Sequence, residues 1–165
     1  MFFKNGQLVW KTDGSARLTG DMSEGLLYYS EGPRLKSSDH VHELYTAAAY
    51  EAFMRSEGLE APAPVKAVMF TTPMCSPCVH VYPSYVTLAM NFAGMMDFAR
   101  VEMDDGDAGQ AELFRRARVL EVPTFVLYHH GEEVSRHVSS HRGDLIGHVL
   151  QTAMRLGIQP PSPKA

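Results

Sequence analysis

Cys75 and Cys78 are the only cysteines of the chain, and Ser76 and Pro77 separate them in a C-x-x-C motif. The motif follows an apolar run and opens a helical pattern, so Cys75 is predicted to lie at the start of a helix. The free N–H groups and the positive dipole end of a helix start stabilise a thiolate, and cysteine pKa values there fall to about 3.5–7.5. A Cys75 thiolate could attack a disulfide, and Cys78, one turn further on, could resolve the mixed disulfide. The motif therefore predicts thiol–disulfide exchange.

Metal binding is the main alternative use of such a motif. A closed zinc site needs four ligands, and candidate histidines such as His137 and His141 lie in a distant segment, beyond a predicted hairpin turn. A c-type haem motif requires a histidine directly after the second cysteine, where this chain has Val79. We therefore expect no metal site and no bound cofactor. Two buried thiols that only fill space are a further alternative.

Methionines are concentrated around the motif. They are Met69, Met74, Met90, Met95, Met96 and Met103. Because soft sulfur ligands bind Cu(I), a copper-handling thiol protein is one hypothesis. Methionine also fills irregular gaps in hydrophobic cores, and this is the interpretation that we prefer.

The segment Glu121-Val122-Pro123-Thr124, at the head of an apolar run, is a second signal. Within sheets, proline is confined to strand starts, edges and bulges. A cis Val122–Pro123 bond would explain its position, since cis peptide bonds occur mostly before proline. A trans proline that simply begins a strand is the alternative.

The elements that must position these residues alternate between strand and helix. The predicted elements are a strand at Val65–Phe70, a helix at 78–93, a strand at Phe98–Met103, a helix from Asp107 through Arg118, a strand at Thr124–Tyr128, its hairpin partner at Glu133–Ser139 and a helix from near Asp144 to Gly157. Upstream, apolar residues from Val41 to Phe53 keep a helical period and predict one more helix. This order implies an α/β fold with a central mixed β-sheet flanked by helices.

We divide the chain into three parts. Residues 1–24 are predicted to form an N-terminal extension, a β-rich hairpin around Asn5-Gly6 that packs on the core. Residues 25–157 form the main domain, with a candidate first strand at Leu26–Tyr29. Residues 158–165 are predicted to be a proline-rich disordered tail.

Length and composition limit the classes of function. The chain has 165 residues, of which 45% are hydrophobic and 21% charged, and this suits one globular domain with a buried core. With 15 Lys+Arg against 19 Asp+Glu, it lacks the basic field that attracts nucleic acid. No run approaches the ~18 apolar residues of a membrane span, and the first residues contain no secretory signal core.

The helix after Cys78 is apolar on two sides. One stripe contains Val79, Tyr82, Val86, Ala89 and Ala93, and the other contains Val81, Tyr85, Leu88 and Phe92. A surface helix needs only one such stripe. We expect the N-terminal extension to cover the second stripe, and a homodimer through this helix is the alternative.

The two signals together resemble the thioredoxin family, from about Lys66 to Leu156. Pro83 stands at the position of the family's helix-kinking proline, residues 118–125 resemble the stretch around its cis-proline, and His130-Gly131-Glu132 resembles the turn of its last hairpin. The resemblance implies a thioredoxin-like fold and a protein-disulfide oxidoreductase with a redox-active centre that serves cell redox homeostasis.

The resemblance also implies roles for individual residues. Cys75 would be the nucleophile and Cys78 the resolving thiol, while Val122 and Pro123 would line the substrate groove. The residues that would support the motif and the groove are Met74, Ser76, Pro77 and Thr124. The implied partners are protein disulfides and a recycling reductase, with no nucleic acid and no membrane. The expected location is the cytoplasm or another reducing compartment, such as an organelle.

Several positions depart from the family pattern. Met74 stands where thioredoxins usually carry Trp, and Met69 replaces a buried Asp that helps to deprotonate the resolving thiol. Thioredoxins carry a basic residue near that Asp, and Arg100 provides one in this chain. Met69, Met74 and the N-terminal extension favour a second hypothesis, a thioredoxin-fold binding or assembly protein whose thiols are slow or specialised.

Overall fold

Strands and helices alternate along the chain. The computed structural model describes residues 39–103 and 106–159, together with the backbone of residues 2–4 and 7–10. In chain order the elements are β1 (Phe2–Lys4), β2 (Gln7–Trp10), β3 (Val41–Leu44), α1 (Ala47–Met54), β4 (Val65–Thr71), α2 (Ser76–Asn91), β5 (Met96–Glu102), α3 (Ala108–Arg116), β6 (Thr124–His129), β7 (Glu132–Val138) and α4 (Arg142–Arg155).

Five strands form one sheet in the order β3-β5-β4-β6-β7. β5 pairs in parallel with both β3 and β4, whereas β6 pairs antiparallel with both β4 and β7. The connection from β4 to its parallel neighbour β5 runs through α2. The sheet is therefore mixed and flanked by helices, which confirms the predicted fold class.

The central strand β4 separates two hydrophobic clusters, because successive side chains of a strand point to opposite faces. Val65, Ala67 and Met69 belong to the α2–α4 cluster, which also contains residues of those two helices. Val68 and Phe70 belong to the α1–α3 cluster on the other face. All residues of β4 are buried, as expected of a strand covered by helices on both faces.

The residues of both apolar stripes of α2 are buried, with one exception. Apart from the exposed Ala93, their residues are buried in the α2–α4 cluster. The hydroxyl of Tyr85 reaches the carbonyl oxygens of Ala67 on β4 and Ala99 on β5, at 2.9 and 2.8 Å. The residues of the second stripe are therefore buried, while the packing of the N-terminal extension lies outside the described side chains and stays a prediction.

The helix predicted over residues 41–53 is wrong in its first half. Val41 and Leu44 lie in β3, and α1 begins after Thr46, whose side chain accepts a hydrogen bond from the N–H of Ala49 at 3.1 Å. A spacing of three puts two residues on one side of a helix but on opposite faces of a strand. Here Val41 joins the α2–α4 cluster and Leu44 joins the α1–α3 cluster. Burial on both faces of the sheet thus imitates a helical period.

The N-terminal predictions are only partly covered by the described residues. β1 and β2 pair antiparallel, which is the hairpin that Asn5-Gly6 predicts. The candidate strand at Leu26–Tyr29 and residues 160–165 of the tail lie outside the described residues, so the division at residues 24 and 157 stays a prediction. Among the helices in the described ranges, none has the length and apolar character needed to cross a bilayer.

Candidate active site

Cys75 is the N-cap residue of α2. Its Sγ accepts a hydrogen bond from the backbone N–H of Cys78 at 3.2 Å, and its backbone is extended. An acceptor at this position satisfies one of the N–H groups that the first helical turn leaves unpaired. The first sulfur of the motif therefore lies where the helix dipole favours a negative charge.

A disulfide joins the two cysteines, whose Cα atoms are 5.3 Å apart. Both residues are buried, and both belong to the α2–α4 cluster. The sequence places the cysteines one helical turn apart, and the structure shows the sulfurs paired. The same site can therefore hold either a disulfide or a dithiol.

The turn from β4 into α2 exposes the residues beside the cysteines. Met74 has a left-handed backbone with a φ of 62°, and it is 49% exposed. Pro77 is also exposed and lies in the first turn of α2, where its missing N–H has little cost. Ser76 between them is half-buried. The surface beside Cys75 is thus largely apolar.

The segment of residues 121–124, the second signal in the sequence, lies next to the C-terminal end of β4, because Thr124 pairs with Phe70 in the sheet. The cysteines follow this end of β4. The Val122–Pro123 bond is cis, and Pro123 is buried. Thr124 donates a hydrogen bond from Oγ1 to the carbonyl oxygen of Glu121 at 2.6 Å. The half-buried Val122 packs against both hydrophobic clusters, one of which includes both cysteines. The structure thus brings the two signals together.

An ion pair that sequence reasoning missed crosses from β5 to β3. The Nε of Arg100 donates to Oε2 of Glu43 at 2.8 Å and to Oε1 at 3.1 Å, and these side chains are only 6% and 11% exposed. The Nη1 of Arg100 also lies 3.5 Å from a carboxylate oxygen of Glu102. The helical interpretation of residues 41–53 gave Glu43 no relation to Arg100. No apolar alternation marks Val41–Leu44 as a strand, because its two apolar residues stand at opposite ends, so the pair is visible only in the register of the sheet.

A small cavity connects this charged group with the second cysteine. Cys78, Tyr82, Arg100 and Glu102 contribute to its lining, and it has room for about one water molecule. Met69, at the position of the family's buried acid, lines the same cavity with a fully buried side chain. Polar groups therefore reach the surroundings of Cys78 from β5 and α2, although the acid expected on β4 is absent.

Burial controls the protonation of this group. It raises the pKa of Glu43 to about 8; the carboxylate of Glu102 adds to the increase, and the hydrogen bond from Tyr82 opposes it. Burial also raises the pKa of Tyr82, so its hydroxyl stays protonated near neutral pH. Arg100 remains positively charged, because a guanidinium is not deprotonated in proteins. With a pKa of about 8, Glu43 is mostly protonated at pH 7, and it becomes ionised and able to accept a proton as the pH rises through that value.

The methionines around the motif are distributed over the core and the surface. Met69 and Met96 are buried in the α2–α4 cluster, Met103 packs against the α1–α3 cluster, and Met74 and Met90 are exposed. The buried positions agree with the gap-filling interpretation. Within residues 39–103 and 106–159, no three His, Cys, Asp or Glu side chains are arranged to hold a metal ion.

Comparisons with known proteins point to one family. The profile described as Thioredoxin matches residues 45–152. A thioredoxin-like protein of Arabidopsis thaliana, "CDSP32, chloroplastic", is 39% identical over 77 residues, which are 47% of this chain and 25% of the relative. Thioredoxin H2-2 of Oryza sativa subsp. japonica is 33% identical over 76 residues, which are 46% of this chain and 53% of the relative. The matched region thus spans a quarter to about half of these relatives.

Solved structures have the same fold. The X-ray structure of Fasciola hepatica thioredoxin matches with a TM-score of 0.56 and 27% identity, over 70% of this chain and 98% of that chain. The sheet order and the helix that carries the cysteines are therefore those of a known architecture, and the similarity in sequence extends over the region that holds both signals.

Proposed function

The chain belongs to the thioredoxin family, and from this membership we propose that it is a thiol–disulfide oxidoreductase that reduces protein disulfides with its Cys75–Cys78 pair. The position of Cys75 carries the proposal, since it caps α2 and is bonded to Cys78. A thiolate at this position is stabilised by the N–H groups and the dipole of the helix start. The resolving thiol is already within bonding distance.

The proposed cycle consists of two exchange steps. The Cys75 thiolate attacks one sulfur of the substrate disulfide, which forms a mixed disulfide and releases the other sulfur as a thiolate. The Cys78 thiolate then attacks the Sγ of Cys75, which forms the internal disulfide and releases the second substrate thiolate. The released thiolates take up protons. The substrate gains two electrons, and an external dithiol reductant restores the Cys75–Cys78 dithiol.

The substrate is proposed to bind between Met74 and the segment Val122–Thr124. The exposure of Met74 and the packing of Val122 against the cluster that includes both cysteines support this site. Backbone groups next to Pro123 would pair with an extended substrate segment, as β-augmentation provides affinity without requiring a particular sequence. Ser76 and Pro77 would form the opposite rim.

A recycling reductase and a reducing compartment complete the proposal. The cycle leaves the cysteines oxidised, so a flavoprotein or a glutathione-type dithiol system must reduce them. The cytoplasm supplies such systems, and so do some organelles; the Arabidopsis relative is named as chloroplastic. We propose that this chain works in a compartment of this kind.

A homodimer through α2 is a separate and weaker proposal, because the apolar stripes of α2 are already buried in the domain. The exposed residues of α2 available for such a contact are Pro77, His80, Thr87, Met90 and Asn91. Light scattering during size-exclusion chromatography decides it, and a monomer at high concentration would reject it.

The activity is tested with a protein disulfide as substrate and a dithiol as electron donor. We expect the wild type to accelerate the reduction and Cys75→Ser to reduce the rate to the background. Cys78→Ser should accumulate mixed disulfides through Cys75, visible on non-reducing gels. Equal rates for the wild type and Cys75→Ser would favour the binding or assembly hypothesis, and a Cys78→Ser variant without mixed disulfides would show that the roles are wrong.

A further inference from the structure

Cys78 must lose a proton before it can attack, yet it is only 5% exposed. Burial in apolar surroundings disfavours a thiolate. The N–H group that supports Cys75 is the backbone N–H of Cys78 itself, and it points to the first sulfur. The resolving thiol therefore needs a proton acceptor of its own, and the small cavity beside it is where the path to such a group begins.

Tyr82 lines this cavity and also contacts the ion pair of Glu43 and Arg100. It lies four residues after Cys78 on α2, so the two side chains are neighbours on one side of the helix, and both line the cavity. The hydroxyl of Tyr82 donates a hydrogen bond to Oε1 of Glu43 at 3.4 Å. Arg100 holds the same carboxylate with its Nε and lies over the Tyr82 ring, 5.4 Å from the ring centroid.

The register of the sheet explains why an acid on β3 can reach a cysteine on α2. Met69 on β4 pairs with Arg100 on β5, and Arg100 pairs with Glu43 on β3. Directly paired residues of neighbouring strands have their side chains on the same face of a sheet. Glu43, Arg100 and Met69 therefore form one row across the face that α2 covers.

We propose that Glu43, acting through the hydroxyl of Tyr82, accepts the proton of the Cys78 thiol during the resolving step. This inference rests on the proposed function, because it concerns the second exchange step of that cycle. The S–H proton of Cys78 crosses the cavity to the Oη of Tyr82 while the Tyr82 hydroxyl proton moves to Oε1 of Glu43. The resulting thiolate attacks the Sγ of Cys75. Glu43 is a positioning residue for this proton transfer, since it acts through Tyr82.

The electrostatic surroundings suit such a transfer. Glu43 faces Arg100 and Glu102 from β5 and Tyr82 from α2, and burial with the charge of Glu102 keeps its pKa close to the range in which thiols titrate. Tyr82 passes a proton on without ionising, because its pKa is raised by burial and by the negative charge of Glu43. The contact with Arg100 holds the accepting carboxylate in place.

The test separates the two exchange steps with a chromogenic aromatic disulfide. The first equivalent of coloured thiol reports attack by Cys75, and the second reports resolution by Cys78. We expect Glu43→Gln and Tyr82→Phe each to slow the second release by about tenfold or more at and just above pH 8, where Glu43 is ionised, while leaving the first release unchanged. Each variant should also change the pH profile of the second release. Because the two residues act in one relay, the double variant should be no slower than the slower single variant.

Two further variants serve as a control and a rescue. Tyr128→Phe removes another buried tyrosine hydroxyl, one that belongs to the α1–α3 cluster on the other face of the sheet, and should leave the second release unchanged. Met69→Asp in the Glu43→Gln background places a carboxylate in the row beside Arg100 and should restore the wild-type pH profile.

The outcomes distinguish the two proposals. If the first release is absent in the wild type, the proposed function fails. If the first release is normal and neither Glu43→Gln nor Tyr82→Phe changes the rate or the pH profile of the second, the relay is wrong. If Glu102→Gln slows the second release whereas Glu43→Gln and Tyr82→Phe do not, the acceptor is Glu102 and the proposal is also wrong. Should Glu43→Gln fail to fold because the buried ion pair between Glu43 and Arg100 is lost, Tyr82→Phe, which keeps that ion pair, decides the question.

Discussion

The Sγ of Cys75 lies 3.2 Å from the backbone nitrogen of Cys78, so the first cysteine caps the helix that carries the second. The group proposed to attack the substrate also holds the start of α2 together. Reactivity and local stability at this site therefore depend on one sulfur atom, and substitutions at Cys75 can separate the two roles.

We expect Cys75→Ser and Cys75→Ala to be equally inactive but unequally stable. Serine keeps an acceptor at the N-cap position, whereas alanine removes it, at a cost of about 1 kcal/mol in the free energy of unfolding. Urea unfolding under reducing conditions, where neither variant nor wild type contains a disulfide, measures the difference. Equal stability of the two variants would show that the cap is energetically unimportant.

Met74 is expected to contribute to binding of protein substrates but not to the exchange chemistry. Met74→Ser removes an exposed apolar side chain beside Cys75, so the KM for a protein disulfide should rise severalfold while the rate with a small aromatic disulfide stays the same. Met90→Ser is the matched control, since Met90 is similarly exposed near the other end of α2. A similar rise in both variants would contradict a specific role for Met74.

Tyr85→Phe should destabilise the domain without changing its chemistry. The hydroxyl is fully buried and reaches the carbonyl oxygens of Ala67 and Ala99. Its removal deprives these strands of a buried donor, and we expect a loss of about 1–3 kcal/mol in the free energy of unfolding. Chemical denaturation gives the value, and release of coloured thiol should proceed at the wild-type rate. Unchanged stability would mean that the strand hydrogen bonds already satisfy both oxygens.

Acidification should weaken the packing between β7 and α4. Burial lowers the pKa of His137, and burial with the nearby charges of His137 and Arg155 lowers the pKa of His148. These histidines bind protons more readily in the unfolded chain than in the folded one. Stability should therefore be full above the ordinary histidine pKa of 6.5 and fall as the pH decreases below it.

Thermal unfolding as a function of pH measures this dependence. His148→Gln should flatten it, whereas His130→Asn should not, because His130 lies in the exposed turn between β6 and β7 and asparagine tolerates its left-handed backbone. A pH dependence that is the same in both variants would show that other groups cause it.

The sequence predicted the features that depend on local chemistry. The strand before Cys75, the helix after it and the cis bond before Pro123 all follow from residue types within a few positions of each other, and the structure agrees with them. The helical ends differ by about two residues, because the terminal turns respond to caps that propensity does not resolve.

The features that depend on distant pairing were missed. β3 was interpreted as a helix because Val41 and Leu44 are buried on opposite faces of the sheet. That error concealed Glu43, whose relation to Arg100 exists only through the register of β3 with β5. The two apolar stripes of α2 also depend on distant packing, since their buried residues belong to a cluster that includes residues of the sheet and of α4.

The position of Val122 has a consequence for how this domain can change. The sheet divides the core, and within the described residues Val122 is the side chain that packs on both sides of it. Substitutions that remodel α1 and α3 can therefore accumulate, in evolution or in the laboratory, with little influence on the reactive helix. Where such changes do alter substrate choice, Val122 is the route by which one half of the core would influence the other.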